Sequence, residues 1–306
     1  MVACFPWCDT QAFQPAQVGR SSAGQATDGP DLNRLHPKTI ADHEQSGFRG
    51  AWFAHYRSTG SQGKRELVFL GTRHGIQLDS PSHRLIKDAI TKFHPNCVVI
   101  EGSESRRGPN DPGLLRDARR MVSEGACPEP LYAAFLAAEH GIEFMGGEPP
   151  PSATTAALRT LGSDHDALGF LLVRELGQVL REEGSGELDS RVVRLLTRLR
   201  RRFQLNTDMD LDDFKNWFFE KTRHPFDAEN LKFARTAPLD LPDPTFFERA
   251  AVQVMLAREK HLIEVEADLL ARYRRILVVY GNGHLVYETP VLDHWLGKPI
   301  RTGTHW

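Results

Sequence analysis

The 306-residue chain has the composition of an ordinary globular protein, with 40% hydrophobic and 25% charged residues. Its formal charge of −2 gives no reason to expect a nucleic acid or an acidic membrane surface as a partner. No apolar stretch approaches the roughly 20 residues of a membrane span, and "MVACFPWCDT" lacks the pattern of a secretion signal. The four cysteines (Cys4, Cys8, Cys97 and Cys127) form no CxxC pair, which favours free thiols in a reducing, cytoplasmic compartment.

Residues 1–48 are predicted to be a flexible arm, because from residue 9 onward they are polar, rich in Gly, Pro, Ser and Gln, and not periodic. A single domain is predicted over residues 49–306. It begins with a hairpin formed by "AWFAHY" and "RELVFLG", whose second strand enters the core. The next predicted elements are the helix "PSHRLIKDAITKFHP", the strand "NCVVIEG", a helix in two pieces broken at "GACPEP", and the strand "IEFMGGE".

Strands are then absent for more than 100 residues, and a helical insertion is predicted at about 153–236. It contains the helical segments "DALGFLLVRELGQVLREEG", "SRVVRLLTRLRRRF" and "LDDFKNWFFEKT". A longer helix, the strand "RILVVYG" and the helix "YETPVLDHWLG" complete the chain. Strands that alternate with helices predict an α/β fold, with a central mixed, largely parallel sheet flanked by helices. The insertion is expected to cap the carboxyl-terminal ends of the strands, where such folds carry their sites.

Four polar side chains are predicted where core strands end. His74 follows "LVFLG", Glu101 follows "CVVI", Glu148 follows "IEFMGG" and His284 follows "ILVVYGNG". Strand ends in a parallel sheet meet in one crevice, so these residues are expected to converge. Two imidazoles and two carboxylates suit a divalent transition metal, namely zinc, manganese, cobalt or iron. Taken singly, each residue also fits a capping or ion-pairing role.

Other motifs do not meet their spacing rules. "EGSESR" lacks the G-x-S-x-G spacing of a nucleophile elbow, and "GNGHLV" lacks the third glycine of a dinucleotide-binding turn. Glu259 and His261 in "AREKHL" suggest a helical metal pair, but HExxH is absent. A serine hydrolase or a nucleotide-binding domain is therefore disfavoured.

Several stretches, taken in order, resemble the TraB/GumN and TIKI group of the wider erythromycin-esterase/ChaN-like fold. "GTRHG" at the end of the opening hairpin resembles the GTxH motif, and "PNCVVIEGSESR" resembles the second strand with its acidic tip and following arginine. "GIEFMGGEPP" resembles the third strand. "MLAREKHLIEVEADLLARYRRILVVYGNGHL" resembles the long helix with its arginine, followed by the last strand and its Gly-x-Gly-His.

The resemblance implies two histidine roles for His74 and His284, two acidic roles for Glu101 and Glu148, and two arginine roles for Arg106 and Arg258. Related proteins include metal-dependent peptidases, erythromycin esterases, haem-binding proteins and proteins that block peptide pheromones. Because one fold supports such different functions, the resemblance specifies the site better than the reaction.

The main prediction is a metal-dependent hydrolase that cleaves a peptide, amide or ester bond in a peptide or small molecule. The metal would be held by His74, Glu101 and His284, and it would activate a water molecule. Glu148 would be the general base, and Arg106 or Arg258 would stabilise the oxyanion.

Three alternatives remain open from the sequence. The first is a metal-independent esterase in which a histidine activates water between two carboxylates. The second is a protein that binds a peptide, haem or metal without turnover. The third is a tailoring enzyme that cyclises or rearranges a peptide.

Overall fold

One mixed, mostly parallel sheet of six strands forms the centre of the molecule, in a computed structural model that describes residues 29–47, 50–60, 63–183 and 188–306. The strand order is β4-β3-β5-β2-β1-β6, with β4, β3, β5 and β2 parallel and β1 antiparallel to both of its neighbours. This architecture confirms the predicted fold class. The strands are β1 (Trp52–Gly60), β2 (Gly63–Thr72), β3 (Cys97–Glu104), β4 (Glu143–Glu148), β5 (Arg275–Gly281) and β6 (Arg301–Gly303).

Ten α-helices are found in the described part of the chain. A π-helical turn continues the second of them, and short 3-10 turns lie at Leu32–Arg34, Ser105–Arg107 and Asn230–Phe233. The α-helices are α1 (Ile40–Gln45), α2 (Pro81–Asp88), α3 (Pro112–Ser123), α4 (Glu129–Glu139), α5 (Pro151–Arg159), α6 (Asp164–Glu183), α7 (Leu188–Phe203), α8 (Leu211–Thr222), α9 (Phe246–Arg272) and α10 (Asn282–Leu296). None of the described helices is long and apolar enough to cross a membrane.

Helices cover both faces of the sheet. The side chains of the central strands β2 and β5 are buried on both faces, as in other parallel sheets. Side chains of α2 and α4 pack on one face, around residues such as Val68, Val98 and Leu277. Side chains of α9 and α10 pack on the other face, around Phe69, Val99 and Val278.

The helical insertion has an apolar core of its own. Helices α6, α7 and α8 bury residues such as Leu172, Leu196 and Phe218 against the amino-terminal half of α9. The carboxyl-terminal half of α9 packs on the sheet instead. The middle of α9 therefore lies where the insertion meets the sheet, beside the end of β4.

A flexible arm is predicted for residues 1–48, but the part of it that the structure describes is folded. Residues 1–28 lie outside the described residues, but residues 29–47 form a 3-10 turn and the helix α1, which begins at the capping residue Thr39. The backbone N–H of Asp240 donates to the carbonyl of Lys38 at 2.8 Å, and the His43 ring packs edge-on against Tyr287. This stretch is therefore attached to the domain.

Two further differences concern the second half of the chain. Helix α10 begins at Asn282, five residues before the predicted helix, so His284 lies in the first helical turn and not in a loop. Helix α5 and the edge strand β6 were not predicted; both are short and lack a long periodic pattern.

Candidate functional site

The carboxyl-terminal ends of β2, β3 and β5 meet at one point in the sheet. β5 lies between β2 and β3, although it follows both in the sequence by more than 160 residues. Such a reversal of strand order opens a crevice at the strand ends. His74 after β2, Glu101 in β3 and Gly281 at the end of β5 face one another in this crevice.

His74 has a special backbone and close packing. Its φ of 57° lies in the left-handed region, which turns the chain sharply after β2. The Nε2 atom lies so close to Gly281 that a Cβ on that glycine would overlap it. The absence of a side chain at Gly281 therefore leaves the space that the His74 imidazole occupies at the end of β5.

Glu101 is the centre of the polar cluster. Its Oε1 accepts a hydrogen bond from Arg258 at 2.9 Å and lies 3.3 Å from Nε2 of His284. Its Oε2 accepts the N–H of Gly281 at 2.9 Å and lies 3.9 Å from Nε2 of His74. Burial raises the pKa of Glu101, but His284 and Arg258 outweigh burial and hold the pKa well below its usual range. The carboxylate is ionised.

Arg258, from the middle of α9, joins the two carboxylates. Its Nε donates to Oε2 of Glu148 at 2.8 Å, and its Nη2 donates to Oε1 of Glu148 at 2.6 Å as well as to Glu101. Desolvation and the charge of Glu101 raise the pKa of Glu148. The charge and hydrogen bonds of Arg258 lower the pKa by a larger amount, so the net shift is downward. Glu148 also accepts the N–H of Gly102 at 3.3 Å.

His284 lies between two carboxylates. Its Nδ1 bonds to Glu259, which is fully buried, and its Nε2 faces Glu101. Burial is the largest effect on His284 and lowers its pKa, but Glu259 and Glu101 together outweigh burial and the charge of Arg258, and the net result is a pKa of about 9. The imidazole is therefore a cation at neutral pH, with both N–H groups directed at carboxylates.

The predicted ligands His74, Glu101 and His284 do come together, but their arrangement does not fit a metal ion. Both nitrogens of His284 are engaged with carboxylates, so neither offers a lone pair. Each oxygen of Glu101 already accepts at least one N–H, and the Arg258 cation neutralises this carboxylate. Across the described ranges, no group of three or more His, Cys, Asp or Glu side chains is placed to hold a metal.

The contacts of Glu148 do not favour the role of general base predicted for it. Both of its oxygens accept from Arg258, and its pKa is lowered, so it is a poor general base. Its function in the cluster is to orient Arg258. Arg106 lies in the 3-10 turn Ser105–Arg107, but its side chain is outside the described part of the structure.

Two residues of the site were not assigned by sequence reasoning. Glu259 was considered only as part of a metal pair, yet it directly follows Arg258 in α9 and bonds to His284.

Arg174 lies on α6 in the insertion, where nothing in the sequence connects it to the strand ends. Much of the Arg174 surface is accessible to solvent, yet its pKa is lowered to about 10. The main cause is desolvation of the guanidinium, and the charge of Arg258 is the second cause. The charges of Arg258, Glu148 and Glu101 all act on this guanidinium, so Arg174 lies close to the cluster.

Comparisons of the chain with models of protein families, with curated proteins and with solved structures find no match. The resemblance to the TraB/GumN and TIKI group stays a prediction. The function therefore has to be inferred from the geometry of the site.

Proposed function

We propose that the chain is a metal-independent hydrolase of an ester or amide bond, in which His74 activates the attacking water. The observation that carries the proposal is the unequal state of the two imidazoles. His284 is 5% exposed and held as a cation between Glu101 and Glu259. His74 is 21% exposed, and its ring makes no hydrogen bond to any described residue. Of these two imidazoles, that of His74 is therefore the one with a ring nitrogen available to take a proton.

The position of Glu101 suits a histidine base. The 3.9 Å between its Oε2 and Nε2 of His74 is too long for a hydrogen bond, but one water molecule could bond to both groups. In the proposed step, Nε2 takes a proton from this water as the water oxygen attacks the substrate carbonyl. The carboxylate stabilises the imidazolium that forms, and the imidazolium then protonates the leaving group.

Arg258 retains hydrogen-bonding capacity for the substrate. A guanidinium has five N–H donors, and the bonds to Glu101 and Glu148 come from Nε and Nη2 only. The Nη1 group makes no bond within the described chain. Fixed in place by two carboxylates, it can donate to the oxyanion that develops on the carbonyl oxygen.

Arg174 favours a substrate that carries a negative charge. Its guanidinium makes no hydrogen bond or ion pair with a described residue, although it lies within electrostatic reach of Arg258, Glu148 and Glu101. Desolvation and the charge of Arg258 outweigh the charges of Glu148 and Glu101 at Arg174, so a further anion would stabilise its guanidinium. A carboxylate on the substrate would bond to Arg174 and orient the scissile bond toward His74.

The test is hydrolysis of a panel of activated esters, with and without a carboxylate, by protein exhaustively treated with chelator. His74→Asn is expected to reduce kcat/KM by about 10²- to 10⁴-fold, because the general base is lost. His94→Asn is the matched control, since His94 is exposed and also has a left-handed backbone, with φ of 52°. Asparagine tolerates that conformation at both positions, so both variants should fold.

Three outcomes would contradict the proposal. Activity that disappears on chelation and returns with a divalent ion would point back to a metal. Equal activity of His74→Asn and wild type would remove His74 from the reaction. Ligands that bind and are recovered unchanged would indicate a binding protein.

Gly281→Ala tests the packing of His74 separately. Gly281 has φ of −58°, which alanine adopts, but the new Cβ would displace the imidazole. The displaced atoms are the far end of a side chain, so we expect little loss of thermal stability but about a 10²-fold loss of kcat/KM, as small misplacements of catalytic groups produce. Gly283→Ala is the control, because its nearest neighbour would be His43 at 3.9 Å, an ordinary contact. Equal activity of the two variants would contradict the placement of His74.

A further inference from the structure

A serine and a histidine outside the proposed water-activating step lie in direct contact. Oγ of Ser105 is 2.7 Å from Nε2 of His261, although the two residues are 156 positions apart in the chain. Ser105 begins the 3-10 turn directly after β3, and His261 lies one helical turn after Arg258 on α9. A hydroxyl within hydrogen-bonding distance of an imidazole, at the tip of a strand, is the arrangement of an activated nucleophile.

The imidazole is in the state that a base requires. Desolvation lowers the pKa of His261, and the charges of Glu264 and Glu148 only partly oppose it. The ring is therefore neutral at pH 7, and Nε2 accepts the Ser105 O–H when the ring proton is on Nδ1. Both side chains are half-buried, so a ligand can still reach them.

A cavity of about 380 Å³ opens beside the turn that carries Ser105. Its lining includes Gly102, Ser103, Glu104 and Arg107, which are close neighbours of Ser105 in the chain, so the cavity is adjacent to Ser105. Gly102 has φ of 82° and open space next to its Cα, so the backbone there leaves room for a ligand. The sequence disfavoured a nucleophile elbow at Ser103, and Ser103 is indeed buried; the residue presented at this tip is Ser105.

A second Ser–His pair shows what a structural contact of the same length looks like. Oγ of Ser80 lies 2.7 Å from Nδ1 of His83, but the same Oγ accepts the N–H of His83 and so caps helix α2. The other ring nitrogen of His83 bonds to the carbonyl of Cys127, and the ring is fully buried. Ser105 caps no helix, and His261 is accessible.

We infer that Ser105 is a nucleophile with His261 as its general base, and that it accepts an acyl group from an ester bound in the neighbouring cavity. The Ser105 oxygen bonds to the carbonyl carbon while its proton passes to Nε2 of His261. The bond to the leaving alcohol then breaks, and the imidazolium returns the proton to the alcohol oxygen. Water releases the acid by the same sequence, which restores the hydroxyl. The inference is independent of the proposed function, since neither residue takes part in the step at His74.

The experiment is labelling of the full-length protein with a fluorophosphonate, which bonds to a nucleophilic serine and releases fluoride. Intact mass and peptide mapping are expected to show one phosphonate, on Ser105. Ser105→Ala should not be labelled, and Ser80→Ala should be labelled at the rate of wild type. His261→Gln should be labelled about 10²-fold more slowly, because its general base is lost.

Each other outcome of the labelling overturns the inference. An unlabelled wild type, or a label on a different serine, removes Ser105 as the nucleophile. Labelling of His261→Gln at the rate of wild type removes the base. Ester hydrolysis that depends on His74 in a protein that takes no label would leave the proposed function intact and overturn this inference. Ester hydrolysis that is lost in Ser105→Ala but unchanged in His74→Asn would support this inference and contradict the proposed function.

Discussion

Replacing Arg258 with methionine is expected to destabilise the fold by about 3–5 kcal/mol, the range found when one partner of a buried ion pair is removed. Arg258 is 12% exposed and donates to Glu101 and Glu148, which are 10% and 16% exposed. Without it, two neighbouring carboxylates are left in a poorly solvated site, with the His284 cation close to Glu101 but no guanidinium bonded to either carboxylate. Chemical denaturation at pH 7 measures the loss of unfolding free energy.

A second substitution separates charge from packing. In Arg258→Met with Glu148→Gln, one unpaired carboxylate is removed, so the double variant should be more stable than Arg258→Met alone. The cost of Arg258→Met should also shrink below about pH 4, where carboxylates become protonated. Arg249→Met on the same helix is the control; this arginine is exposed and should cost less than about 1 kcal/mol. A loss below 1 kcal/mol for Arg258→Met would contradict the buried ion-pair network.

The fold was predictable because its signals are local. Strands β2, β3 and β5 are short apolar runs, and "RELVFLG", "NCVVIEG" and "RILVVYG" each mark a strand that the structure contains. The long insertion helices show regular apolar spacing, as in α7 with Val192, Leu196 and Leu199 buried. The convergence of His74, Glu101 and His284 followed from the rule that parallel strand ends share one crevice.

The chemistry of the site was less predictable, because it depends on pairings across the chain. A sequence shows that two histidines and two glutamates are available, but not that Arg258 would occupy the space between Glu101 and Glu148. It also does not show that Glu259 would hold His284 as a cation. These contacts change a predicted set of metal ligands into a network of charged hydrogen bonds. The Ser105–His261 contact is equally non-local, so no spacing rule could find it.

The second large effect is expected at a pair of glutamates beneath the site. Glu266 on α9 and Glu288 on α10 are fully buried, and the charge of each acts on its surroundings at close range, since the charge of Glu266 raises the pKa of Glu288. Desolvation raises the pKa of Glu266 to about 8, and desolvation together with the charge of Glu266 raises the pKa of Glu288 well above its usual value. At least one of the two carries a proton at neutral pH, because both pKa values are raised, that of Glu266 to about 8, and two buried like charges repel one another.

The sign of the pH dependence follows from these raised pKa values. In the unfolded chain a glutamate releases its proton near pH 4.3, whereas in the folded protein the pair keeps its protons to about pH 8. The unfolded state therefore binds fewer protons across this window, so the free energy of unfolding falls as pH rises from about 4.3 to about 8. Glu288→Gln removes a proton-binding group and keeps the shape and a hydrogen-bond donor.

We expect Glu288→Gln to be more stable relative to wild type at pH 8 than at pH 5, by at least about 1–2 kcal/mol, because one pKa unit corresponds to about 1.4 kcal/mol. Urea denaturation of both proteins at the two pH values measures this difference. Glu264→Gln, at an exposed position of α9, the helix that carries Glu266, should show no such change. A difference between Glu288→Gln and wild type that is the same at both pH values would mean that the pair does not hold its protons in the folded state. In that case the charge balance beside Glu259 and His284 would have to be assigned differently.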